Sequence, residues 1–94
     1  YESKTEIMQA LDFYSKLSDA MAERGLYVPS IKKGLADTNL ALAETYDYMG
    51  NTEEARIRYK TAIEFYSDLS HNEQAKDKYK ELLKKAKDLL RLLD

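Results

Sequence analysis

ADTNLALAETYDYMGNTEEARIRYKTAIEFY, residues 36–66, reads as two amphipathic helices joined by a tight turn. Leu42, Tyr46 and Met49 continue an apolar stripe that begins at Ile31 and Leu35, at three-, four- and seven-residue steps. Gly50 suits a left-handed helix end, and Asn51-Thr52 can cap the next helix. Glu53-Glu54 then place negative charge at the positive end of that helix's dipole. Ala55, Tyr59, Ala62, Ile63, Tyr66 and Leu69 share one face of the second segment. Small residues at 43, 55 and 62 allow two helix backbones to cross closely, while Tyr46 and Tyr59 are large enough to fill the space beside them. The expected helices run over residues 29–49 and 53–69.

Outward from this hairpin, a preceding helix is expected over residues 3–24. Ser3-Lys4-Thr5-Glu6 has capping-box spacing, and Ile7, Ala10, Leu11, Tyr14, Leu17 and Met21 form its apolar stripe. Gly25 follows as a C-terminal cap, and Pro29 opens the next helix at a position that needs no N–H donor. Gly34, inside that helix, costs about 1 kcal/mol relative to Ala. Either a neighbour approaches closely there or the helix is locally weak. Ser70-His71-Asn72-Glu73 repeats the capping-box spacing and predicts a last helix over 71–93. Its stripe is Ala75, Tyr79, Leu82, Leu83, Ala86, Leu89, Leu90 and Leu93, with Leu92 outside that arc and Lys76, Lys80, Lys84, Lys87 and Arg91 opposite. No period-two alternation persists, so the fold class is all-α: four helices in antiparallel hairpins.

Ninety-four residues, 34% of them charged, with three glycines and one proline, describe a single helical domain with a modest core. The chain has no cysteine, which excludes disulfides, thiolate metal sites and thiol catalysis. No apolar run approaches the roughly 18 residues of a membrane span. With no targeting segment in view, a cytoplasmic setting is expected. The chain opens on Tyr1 rather than Met, which leads us to expect a piece of a longer one. The net charge of −2 hides an asymmetry: residues 1–75 hold 8 basic and 13 acidic side chains, and residues 76–94 hold 7 and 4. Such a polarised surface biases association.

There is also an internal echo. Residues 10–18 read ALDFYSKLS and residues 62–70 read AIEFYSDLS, identical at six of nine positions. The first helix is then expected to be the second half of an earlier hairpin.

The central hairpin resembles the tetratricopeptide repeat. Leu42-Ala43 stand at that family's Leu-Gly pair, Tyr46 at its Tyr, Ala55 and Tyr59 at its Ala and following aromatic, and Ala62 at its last small position. Asn39 replaces the usual Trp, Ser67 replaces the exit Pro, and the echoes lie 52 residues apart rather than the family's roughly 34. The resemblance implies a right-handed superhelical array in which first helices line a groove for peptides or partner helices, with an amphipathic last helix as cover. It implies a scaffold without catalysis of its own.

Asp37, Leu40, Ala41, Glu44, Asp47 and Tyr48 fall within about 120° on the helical wheel, opposite the core stripe, and make up the candidate binding face. Leu40 and Tyr48 are apolar where a solvated face favours polar residues, and the three carboxylates Asp37, Glu44 and Asp47 surround them. A protein or peptide ligand with apolar side chains and Lys or Arg is expected there. The bland alternative packs Leu40 and Tyr48 against a neighbouring helix and leaves the acids solvated. The lysines of the last helix are interrupted by Asp77, Glu81 and Asp88 and lack interleaved aromatics, so no nucleic acid is expected. They could instead lie beside the carboxylates and balance them. Ile57, Phe65 and Phe13 lie off their main stripes, either packing on a second side or leaving an open apolar edge. That edge, with the terminal leucines, makes homodimerisation through the first and last helices the alternative function.

His71 is the single histidine and is expected at the surface in the first turn of the last helix. Without a second His or any Cys, no metal site is expected; the isolated glycines form no phosphate cradle. No cofactor and no catalytic residue is assigned.

Overall fold

The computed structural model describes residues 4–72 and 76–93, with the side chains of 72 and 76–78 left aside. The chain forms α1 (Lys4–Glu23), α2 (Pro29–Tyr48), α3 (Thr52–Asn72) and α4 (Lys76–Leu93), and no strand among the described residues. Each helix packs chiefly on its neighbours in the chain: α1 on α2, α2 on α3, α3 on α4. Contacts run antiparallel, since Tyr59 reaches Asp47 while Tyr66 reaches Asp37.

Both glycine stops behave as their position in the sequence requires. Gly25 and Gly50 have φ of +70° and +83°, a conformation that costs a residue with a Cβ but not glycine. The backbone closes each helix with the same pair of bonds: Leu26 N–H to Met21 O and Gly25 N–H to Ala22 O, then Asn51 N–H to Tyr46 O and Gly50 N–H to Asp47 O. This six-to-one, five-to-two pattern satisfies carbonyls the helix itself leaves open. Pro29 occupies the start of α2.

The core is centred on the α2–α3 hairpin. Ala43, Ala55 and Ala62 are wholly buried, as close backbone approach demands, and Leu42, Tyr59, Tyr66 and Leu69 fill the remaining volume. Gly34 is explained by a neighbour. A Cβ there would strike the ring of Tyr14 from α1, with two ring carbons at 2.6 Å. Asn39 is buried; its amide donates to Leu35 O at 2.8 Å, and its oxygen accepts from Arg58 Nη1 at 3.3 Å.

Four expectations are corrected. Helix three does not stop at Leu69 but continues to Asn72. Ser70 lies within it, buried, with its hydroxyl donating to Ser67 O at 2.8 Å instead of capping a new helix. His71 accordingly is exposed in the last turn of α3, not the first of α4. Met49, read as an inner residue, is exposed, because the chain leaves the helix there and turns at Gly50. Ser3, Glu73 and Ala75, assigned to caps and a stripe, lie outside the described residues.

Candidate functional site

Four of the six residues of the candidate face, Asp37, Ala41, Glu44 and Tyr48, line one cleft of about 590 Å³. Its other walls are Thr38 and Thr45 from α2 and Ile7 from α1. Both threonine hydroxyls are spent on their own helix, Thr38 Oγ1 donating to Gly34 O at 2.8 Å and Thr45 Oγ1 to Ala41 O at 2.9 Å. The polarity of the cleft therefore comes mainly from its two carboxylates.

Leu40 does not belong to the site. It is 6% exposed and packs within the core, which is the bland alternative for that position. The reason is that α2 has helices on two sides, so its buried arc is wider than a single stripe. Tyr48 does the opposite and stands 83% exposed at the cleft rim. Asp47 lies just outside, in an adjoining depression that Glu44 and Tyr48 also line together with Tyr59 and Leu89.

The carboxylates differ in how they are held. Asp37 accepts a hydrogen bond from Tyr66 Oη at 2.5 Å and another from Lys33 Nζ at 2.6 Å. Asp47 accepts from Tyr59 Oη at 3.4 Å. Two core tyrosines of α3 thus reach past the helix interface to fix acids at either end of the face. Burial, the Asp37 hydrogen bond and the charges of Asp37 and Glu44 raise the Tyr66 hydroxyl far above its usual pKa. Burial and the charges of Asp47 and Glu44, with the Asp47 hydrogen bond, do the same for Tyr59. Glu44, between these anchored acids, is exposed and forms no ion pair or side-chain hydrogen bond among the described residues.

Among the described side chains, the α4 lysines do not line the cleft. Lys80, Lys84 and Lys87 line a separate shallow surface with Leu83, Asp88 and Arg91, and α4 brings Leu89 beside Glu44 and Asp47. Leu89, Leu90 and Leu93 are partly buried against the core, and Leu92 is exposed. Among the off-stripe residues, Phe65 is half-buried with Lys32 Nζ 5.4 Å from its ring centre, whereas Phe13 and Ile57 are open.

Ile7, Thr38 and Thr45 were not singled out as site residues by sequence. The wheel angle of Thr38 and Thr45 beside Ala41 gave a signal; Ile7 comes from a different helix and gave none. Among the described residues no group of three or more His, Cys, Asp or Glu side chains is placed to hold a metal ion, and no helix is long and apolar enough to cross a membrane. Compared with protein-family models, curated proteins and solved structures, the chain matches none of them.

Proposed function

We propose that this domain is a non-catalytic, tetratricopeptide-like binding module whose α2 cleft takes a peptide or partner helix carrying Lys or Arg beside apolar side chains. The observation that carries this reading is the pairing of Tyr48, an aromatic 83% exposed, with an exposed Glu44 carboxylate at the mouth of an Ala41- and Ile7-lined cleft. An exposed aromatic beside a carboxylate offers apolar area and a charge to a ligand cation at once. The burial of Ala43, Ala55 and Ala62 supports the repeat-like geometry that the sequence resembles. Anchoring of Asp37 by Tyr66 fixes one wall in advance, which lowers the ordering cost of binding.

The test uses a synthetic Lys/Leu amphipathic helix as probe, with binding followed by calorimetry. Tyr48→Ala and Glu44→Gln are each expected to weaken the probe by about 1–2 kcal/mol while the thermal unfolding midpoint stays within about 2 °C of the parent. Unchanged probe affinity in both variants would sink the reading.

A further inference from the structure

The acidic cleft has a counterpart on the same chain. Asp37, Ala41, Glu44 and Tyr48 are spaced by four, three and four residues, and Lys80, Lys84, Lys87 and Arg91 are spaced identically. At 100° and about 1.5 Å per residue, each set forms a straight stripe about 60° wide and about 16 Å long. Asp37 to Glu44 and Lys80 to Lys87 both span about 10.5 Å along their helices. The spacing also reads the same in reverse. A parallel approach sets Lys80 on Asp37, Lys87 on Glu44 and Arg91 on the Tyr48 ring. An antiparallel approach sets Arg91 on Asp37, Lys84 on Glu44 and Lys80 on Tyr48. Ala41 lies between the charged positions in either case and lets the second helix come close.

Within one molecule these stripes do not meet. The lysine surface lies apart from the cleft, and no ion pair among the described residues joins α2 to α4. Among the described residues, Lys80, Lys84 and Lys87 have no carboxylate partner and Glu44 has no cation. Arg91 is paired only loosely, at 3.7 Å from Asp88, and remains 79% exposed. Asp37 is already held by Lys33 and Tyr66, so the open charge is the Glu44 carboxylate on one stripe and the lysines on the other, and these favour contact between molecules.

We propose that the occupant of the α2 cleft is the basic outer face of α4 from a second copy of this chain. The proposal rests on the cleft being a binding groove and adds what fills it. The contact joins unlike surfaces, so each copy offers one of each and association can extend head to tail. Since exposed charge pairs supply much of the attraction, the association is weak, of the order of 10 µM to 1 mM, and strongly salt-dependent.

Sedimentation velocity over a concentration series tests it with the full chain. At about 0.02 M salt the weight-average mass should rise with concentration, and at about 0.5 M it should fall back to the monomer as screening shortens below the stripe length. Glu44→Lys alone, and Lys84→Glu with Lys87→Glu, should each weaken association about tenfold. Mixing the two variants should restore it, because the acidic cleft of one then meets the basic helix of the other and the reversed surfaces also match. A concentration-independent monomer at low salt overturns the proposal, as does association that neither reversal weakens. Glu44-dependent capture of the Lys/Leu probe by a chain that stays monomeric overturns self-pairing while keeping the groove. Probe affinity unchanged by Glu44→Lys and Tyr48→Ala overturns the groove as well.

Discussion

Residues 10–18 and 62–70 spell nearly the same peptide but occupy different surroundings. Ala62, Tyr66 and Leu69 are wholly buried, while their counterparts Ala10, Tyr14 and Leu17 are half-buried. Phe65 is half-buried and Phe13 is 60% exposed. Both tyrosines lean on the same part of α2, Tyr66 on Asp37 and Tyr14 on Gly34, one turn apart. The difference lies in the number of neighbours. Helix α3 sits between α2 and α4, whereas α1 packs chiefly on α2. Local sequence chooses which side chains point inward; position in the stack decides how completely water is removed from them.

The sharpest way to break this comparison is to truncate both tyrosines. Tyr66→Ala should cost about 3–5 kcal/mol, since it empties a fully enclosed site and removes the hydrogen bond to Asp37. Tyr14→Ala should cost less than half as much, because water can reach the vacated space. Urea titration of the two variants measures both. Equal costs would mean that α1 is buried as deeply as α3.

The two buried phenols of α3 also set an alkaline limit. Tyr59 and Tyr66 have folded-state pKa values raised above the unfolded value of about 10, by burial first and the neighbouring carboxylates second. The stability that depends on their neutrality is fully present below about pH 10 and is lost as pH rises through the folded values. Above pH 10 each phenol should lower stability by up to about 1.4 kcal/mol per pH unit. The urea midpoint should be level between pH 7 and about pH 9 and fall steeply beyond about pH 10. Tyr66→Phe should reduce that slope by about half. An unchanged slope in the variant would remove Tyr66 from the account.

How much of this was legible depends on whether a signal was local. The α2–α3 turn was read correctly because Gly50, Asn51 and the small residues at 43, 55 and 62 act over a few positions. Leu40 was misplaced because α2 is covered on two sides, and a wheel drawn for one stripe assigns its second buried flank to solvent. Ser70 followed the same logic in reverse: Ser-x-x-Glu spacing marks a cap only where the chain is starting a helix, and here Leu69 and Ser70 are buried inside one still running. Ile7 reaches the cleft through tertiary packing about thirty residues away in sequence, a distance no periodicity crosses.

Gly34 offers the finest test of how α1 is seated. In the native background, Gly34→Ala gains up to about 1 kcal/mol of helix propensity but must displace the Tyr14 ring, a repacking that costs about 1–3 kcal/mol. A net destabilisation of about 1 kcal/mol is expected. With Tyr14→Ala already in place the obstruction is gone, and the same Gly34→Ala change should stabilise by up to about 1 kcal/mol. The reversal of sign, read from a double-mutant cycle in urea, isolates the contact from propensity because propensity is common to both backgrounds. If Gly34→Ala were stabilising in both, the ring would not be resting on the helix, and α1 would be seated by its other apolar residues, Ile7 and Leu11 among them. If it were destabilising in both, some group other than Tyr14 would press on α2 at that turn, and the likeness between the two echo tyrosines would be one of sequence alone.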